Sequence, residues 1–182
     1  MVFVNLPNLL TALRLVLTPV IVVLIGRRDF RLAVLVTFLA GISDAFDGYL
    51  ARRFHASSRV GAYLDPIADK TMLVAVYLAL GAAQVFPAWL VWLVLGRDAV
   101  ILAMALVGWA VFRFREFPPS QWGKISTFFQ MMAAGTALLA GAFPVAILTA
   151  LVWPAIWCAA GATVVSGAHY LWLAAGRVRS RR

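Results

Sequence analysis

The sequence predicts an all-α integral membrane protein, with six transmembrane helices behind a short N-terminal interfacial segment. Three observations carry this. Hydrophobic residues make up 64% of the 182 positions and charged residues only 13%, with a mean hydropathy of +0.93, where a soluble domain is roughly half apolar and about a quarter charged. A body this small keeps a high surface fraction and cannot hide so much apolar sequence in a core. The apolar residues also fall into runs near the roughly 20 residues that cross a bilayer.

The runs cover residues 8–25, 32–53, 61–80, 87–112, 123–140 and 145–175. Residues 1–7 are apolar but too short to span, and are expected to lie at the membrane interface. The first run has no Lys or Arg ahead of it, holds Arg14 within it and lacks a small-x-small cleavage pattern, so it is expected to be a retained helix and not a secretory signal. It closes at Gly26-Arg27-Arg28-Asp29. The second closes at His55-Ala56-Ser57-Ser58, and residues 84–87, 116–120 and 141–144 separate the later runs with turn formers and charges. The sixth run is long enough to tilt or to extend into water. No repeat or low-complexity tract interrupts the pattern, and the whole of 1–182 is expected to be a single domain.

The charge is lopsided, with 16 Lys and Arg against 7 Asp and Glu and a net charge of +9. Such a balance raises nucleic acid as a partner. The basic residues instead cluster between apolar runs, which fits orientation in a bilayer and contact with anionic lipid head groups, so no nucleic acid is expected. With the N-terminus in the cytoplasm, that side would hold Arg52, Arg53, Arg59, Lys70, Arg113, Arg115, Lys124, Arg177, Arg179, Arg181 and Arg182, and the other side only Arg27, Arg28 and Arg31. The positive-inside rule therefore places both termini in the cytoplasm. Cys158 is the single cysteine and cannot form an intrachain disulfide. His55 and His169 stand isolated and are read as interfacial or packed residues. The Trp residues are read as interfacial belt or packing.

Four of the seven acids, Asp44, Asp47, Asp65 and Asp69, fall within 26 residues. On a helix, Asp44, Asp47, Gly48 and Ala51 are spaced i, i+3, i+4 and i+7, and Gly61, Asp65 and Asp69 are spaced i, i+4 and i+8, so each set shares one face. Two neighbouring helices would aim four carboxylates into one pocket on the cytoplasmic side. Carboxylates gathered this closely repel and call for cations. Without His or Cys, they select hard divalent ions, Mg²⁺ first and Mn²⁺ next. Ionisable residues on spanning segments are costly and default to function. The small residues Gly48, Ala51 and Gly61 leave room on the same faces for close backbone approach or a flat ligand.

The pattern Asp-x2-Asp-Gly-x2-Ala-Arg-x8-Gly-x3-Asp-x3-Asp, running from Asp44 to Asp69, resembles the signature of the CDP-alcohol phosphatidyltransferase family at all eight fixed positions. A chance match is rarer than roughly one in a hundred million. The opening Pro7-Asn8-Leu-Leu-Thr11-Ala-Leu-Arg14 is similar to that of bacterial phosphatidylglycerophosphate and cardiolipin synthases. Pro119-Ser120-Gln-Trp-Gly123-Lys124-Ile-Ser-Thr127-Phe-Phe-Gln130 resembles the start of their fifth helix.

The resemblance implies a transferase that moves the phosphatidyl group of CDP-diacylglycerol to an alcohol with release of CMP. It implies two divalent cations on Asp44, Asp47 and Asp65, with Asp69 adjoining the metal set and acting as base. Gly48, Ala51, Arg52 and Gly61 correspond to nucleotide-side positions, and Asn8, Thr11 and Arg14 form a polar stripe toward the same cavity. A homodimer in the bacterial inner membrane, with its active site facing the cytoplasm, is also implied. Arg97 and Asp98 lie inside the fourth run, where a charge should face the bundle. They either pair with each other, or Arg97 binds the acceptor's phosphate together with Lys124. Glycerol 3-phosphate and phosphatidylglycerol both suit such a pocket. Gly96-Arg97-Asp98, with no further Arg until Arg113, departs from the phosphatidylglycerophosphate synthase pattern and looks more like CMP-forming cardiolipin synthases. From the residues alone, a metal-ion or proton-coupled transporter is the alternative, although it lacks the repeated halves such proteins show.

Overall fold

The computed structural model describes the backbone of residues 6–54, 59–110 and 120–179, and side chains over 13–42, 68–104, 106 and 120–173. These residues form six helices: α1 (Leu6–Gly26), α2 (Phe30–Phe54), α3 (Arg59–Ala82), α4 (Ala88–Ala110), α5 (Gln121–Ala142) and α6 (Ala146–Arg179). Each expected run is one helix, with ends shifted by a few residues. The clearest shift is at the start, where α1 takes in Leu6 and Pro7 from the expected interfacial segment. Residues 1–5, and the part of the fourth run beyond Ala110, lie outside the described residues.

Two of the turns share one solution. After α1, Arg28 adopts φ 59°, the Arg28 N–H donates to Ile25 O at 2.9 Å and the Asp29 N–H to Leu24 O at 2.9 Å. After α3, Gln84 adopts φ 60°, its N–H donates to Gly81 O at 3.0 Å and the Val85 N–H to Leu80 O at 2.9 Å. This pair of bonds is the Schellman closure, which satisfies the last carbonyls of a helix through a left-handed residue, usually Gly. Asp29 then opens α2, its Oδ1 accepting the Leu32 N–H at 3.2 Å, the usual office of an N-cap aspartate. Arg28 Nη2 donates to Ala83 O at 3.1 Å and Arg31 Nε to Ala142 O at 3.4 Å. The ends of α1, α3 and α5 therefore gather at one end of the bundle.

α1 packs against both α2 and α3, α5 packs against α6 and α2, and α4 rests mainly on α6, while α3 touches α4 and α5 only slightly. Helix α1 thus lies against both α2 and α3; the halves of α2 and α3 that carry the four aspartates are expected to be neighbours, and of those aspartates only Asp69 has its side chain among the described residues. The core holds Ile21, Ile25, Tyr77, Leu80, Leu90, Val94 and Ile156, each fully or almost fully buried. Helix α5 meets α6 through small residues, with Ala133, Ala137, Ala159 and Ala160 buried at the contact. Small side chains let helices approach closely where lipid removes any hydrophobic drive for association.

The outward faces are apolar. Val16, Phe38, Trp92, Ile147 and Trp172 are all more exposed than buried. Among the described residues, Gln121–Ala142 and Ala146–Leu173 are long and apolar enough to cross a membrane, and Leu13–Gly26 and Phe30–Ile42 are shorter apolar stretches.

Candidate active site

Asp44, Asp47, Gly48, Ala51 and Arg52 lie on the second half of α2, and Gly61, Asp65 and Asp69 on the first half of α3. Because both stretches are helical, the spacings of three, four, seven and eight residues put each set on one helix face. Asn8, Thr11 and Arg14 likewise share α1. The side chains of Asn8, Thr11, Asp44, Asp47, Gly48, Ala51, Arg52, Gly61 and Asp65, and all of His55, lie outside the described residues. Among the described residues no three His, Cys, Asp or Glu side chains gather to hold a metal ion.

Asp69 and Arg14 are described, and they meet. The Arg14 Nη1 donates to Asp69 Oδ1, an ion pair that joins α1 to α3 across 55 residues of sequence. The two ends differ in exposure, with the Arg14 side chain 5% and the Asp69 side chain 42% accessible. Arg14 is thus a buried cation, and the Asp69 carboxylate is the more exposed member of the pair. The Thr18 hydroxyl donates to the Arg14 backbone O at 2.8 Å, so the turn carrying Arg14 is tied as well.

Arg14 and Asp69 sit on the wall of a cavity of about 280 Å³ between α1, α2, α3 and α5, whose remaining lining is largely apolar, including Met72, Val76, Met131 and Leu138. Thr37 also lines it, and its buried hydroxyl has no hydrogen-bond partner among the described residues. Thr18, Thr127, Thr136, Thr149 and Thr163 all donate to the carbonyl four residues earlier, as Thr commonly does inside helices. A carboxylate, a buried cation and an apolar hollow together suit an amphiphile whose polar end is charged.

Arg97 and Asp98 do pair, Nη1 to Oδ1 at 2.8 Å. Asp98 Oδ2 lies 2.6 Å from Lys70 Nζ on α3. The Arg97 Nη2 donates to the Ser166 hydroxyl on α6, and its guanidinium carbon stands 5.7 Å from the centre of the Tyr170 ring. Among the described residues, Arg97 Nε and Asp98 Oδ2 are buried without a hydrogen-bond partner, Lys70 meeting Asp98 Oδ2 as an ion pair only. Lys124 is exposed in the first turn of α5, one residue beyond Gly123, which faces Tyr170 and Arg97.

His169 is not isolated: its Nδ1 lies 3.1 Å from the Ser120 hydroxyl, and Tyr170 OH accepts the Ser120 backbone N–H at 3.0 Å. The end of α6 thereby caps the start of α5. These partners are 49 and 50 residues apart, so no local pattern announces them; the Pro118-Pro119-Ser120 sequence before an apolar run was the available signal.

The sequence profile of the CDP-alcohol phosphatidyltransferase family matches residues 4–174. A Mycobacterium tuberculosis protein named probable phosphatidylglycerophosphate synthase is 34% identical over 175 residues, 92% of this chain and 80% of the relative. The CMP-forming cardiolipin synthase of Rattus norvegicus is 30% identical over 187 residues, 91% of this chain and 59% of that protein. That of Streptomyces coelicolor is 35% identical over 144 residues, 74% of this chain and 65% of that protein.

Proposed function

The chain belongs to the CDP-alcohol phosphatidyltransferase family, and from that premise we propose that it transfers the phosphatidyl group of CDP-diacylglycerol to phosphatidylglycerol, forming cardiolipin and releasing CMP. It is a phosphatidyltransferase of phospholipid biosynthesis, and the transporter alternative finds no support in its relatives. The observation that carries the choice of acceptor is the state of Arg97. With Nη1 on Asp98 and Nη2 on Ser166, Arg97 keeps little to offer the dianionic phosphate of glycerol 3-phosphate. A phosphodiester with a single charge, carried by a lipid, asks less of the pocket. Glycerol 3-phosphate stays as a second reading because the Mycobacterium tuberculosis relative, aligned over most of both chains, is named for that product.

Asp69, held by Arg14 and partly exposed, takes the proton from the acceptor hydroxyl as its oxygen attacks the lipid-side phosphorus. CMP leaves from the opposite face. Asp44, Asp47 and Asp65, with Asp69 adjoining, form an all-carboxylate donor set that fits two hard divalent cations, Mg²⁺ or Mn²⁺. Such ions, when bound, neutralise diphosphate oxygens and stabilise a phosphate leaving group. Gly48, Ala51 and Gly61 leave space for the cytidine, and Arg52 supplies a phosphate contact. Asn8 and Thr11 extend the polar stripe of Arg14, and Lys124 is the open cation for the acceptor's phosphate. The apolar cavity below Asp69 suits an acyl chain.

This reading puts all six helices in a bacterial inner membrane with the aspartates toward the cytoplasm, supported by the excess of basic residues on that side. A homodimer follows from the family resemblance. Purified protein would be incubated with labelled CDP-diacylglycerol, Mg²⁺ or Mn²⁺, and either phosphatidylglycerol or glycerol 3-phosphate. Cardiolipin and CMP are expected with the first acceptor. CMP with glycerol 3-phosphate alone would move the assignment to the second reading, and no CMP with either would overturn both.

A further inference from the structure

Asp69 and Lys70 are successive residues on α3, about 100° apart around the axis. Asp69 faces α1 and the cavity, while Lys70 faces α4, with Nζ 2.6 Å from Asp98 Oδ2. The other oxygen of Asp98 accepts Arg97 Nη1 at 2.8 Å. Arg97 reaches on to Ser166 of α6 and lies against Tyr170, whose hydroxyl holds the first residue before α5. One carboxylate therefore fastens α3 to α4 and, through Arg97, to α6 and the start of α5. Asp98 and Arg97 are well buried, with side-chain accessibilities of 14% and 9%, while the Lys70 side chain that reaches Asp98 is 37% accessible.

Backbone contact between α3 and α4 is otherwise slight. Two turns along the Lys70 face, the Tyr77 hydroxyl donates to Gln130 O of α5 at 3.1 Å. Lys70 and Tyr77 are thus two pins on one side of α3, and Lys70 is the pin next to Asp69. A rotation of about 10° carries a group some 5–6 Å from a helix axis through about 1 Å. A misplacement of that size can cost about 10²-fold in rate.

We propose that Asp98 is a positioning residue for the transfer reaction: through Lys70 it sets the rotation of α3, and with it the place of the Asp69 carboxylate. The inference rests on the reading of Asp69 as the base. Asp98 and Lys70 touch no reacting atom in it.

The full-length protein would be compared with Lys70→Met, Lys70→Arg and Asp98→Asn. CMP release gives kcat and the KM for CDP-diacylglycerol, and hydrogen exchange reads the backbone of residues 66–74 against residues 126–138. Lys70→Met and Asp98→Asn are expected to lower kcat by about 10²-fold with KM near the wild-type value, and to speed exchange in the first segment alone. Lys70→Arg, which keeps a cation within reach of Asp98, is expected to restore both. An unchanged kcat, a change confined to KM, or no rescue by Lys70→Arg would overturn the proposal. Should Asp98→Asn fail to fold, Lys70→Met decides, since it leaves the Arg97–Asp98 pair in place. If the wild type itself releases no CMP, the transferase reading fails separately. Exchange then still tests the bolt, and an unchanged 66–74 segment in Lys70→Met overturns it.

Discussion

Replacing Asp69 by Asn keeps the shape of the side chain and removes its capacity to take a proton. Asp69→Asn is expected to lower kcat by about 10²- to 10⁴-fold, the usual contribution of a general base, while nucleotide binding measured by calorimetry stays near the wild-type level. Near-normal turnover would remove Asp69 from the role. Asp44→Asn and Asp65→Asn should differ in kind, weakening Mg²⁺ or Mn²⁺ binding and activity together, and a metal titration that superimposes on the wild type would take them out of the donor set. Gly123 gives a third test at this scale. A Cβ there would lie 3.0 Å from Tyr170 OH and 3.4 Å from Arg97 Nη2, both already engaged. Gly123→Ala is expected to cost about 1–3 kcal/mol, the range for overpacking a tight site, read as a lower unfolding temperature in detergent; an unchanged temperature would mean that Tyr170 yields freely. The aspartate spacing was legible because a helix converts sequence intervals into a shared face. The Arg14–Asp69 and Ser120–His169 contacts were not, because each joins residues about 50 apart and depends on which helices pack together.

At the scale of the helix, the ends show what local pattern can and cannot announce. Gly26-Arg27-Arg28-Asp29 and the 84–87 segment read correctly as turns, yet the residue taking the left-handed conformation is Arg28 in one and Gln84 in the other, with Gly26 and Gly81 inside the helices. Chain geometry places the closure two or three residues after the glycine, where a side chain costs about 1 kcal/mol or slightly more in that region. Gln84→Gly should therefore stabilise the protein by about 0.5–1 kcal/mol, since the Gln84 side chain gives back only a long 3.4 Å bond to Gly81 O. A denaturation midpoint at or below that of the wild type would refute it. The contact between α2 and α5 was hidden from the sequence for a different reason. Gly141 looked like a turn former before Pro144, but it ends α5 against the Phe30 ring, where a Cβ would come within 2.6 Å. Its service is to close approach, which no neighbour in sequence reveals.

For the molecule as a whole, the two groups of helix ends define the axis along which it would lie in a membrane. Arg28 reaches Ala83 O and Arg31 reaches Ala142 O, so the α1–α2 turn and the ends of α3 and α5 share one end. Ser120, His169 and Tyr170 bring the start of α5 and the last part of α6 together away from it. Apolar side chains such as Trp92 at 70% and Ile147 at 70% exposure turn surface outward that water would penalise by roughly 25 cal/mol per Å². The apolar excess was legible in composition, but the common end of three helices required the packing. If the excess of basic residues orients the protein as expected, Arg28 faces away from the cytoplasm and Lys124 faces it. In a Cys158→Ala background, which removes the native thiol, an impermeant maleimide should label Arg28→Cys in cells whose inner membrane is intact. It should label Lys124→Cys only after that membrane is opened. Labelling of Lys124→Cys in intact cells with protection of Arg28→Cys would invert the orientation and carry the Asp69 side of the molecule away from cytoplasmic CDP-lipid. Equal labelling of both before opening would mean that the two ends are not separated by a bilayer.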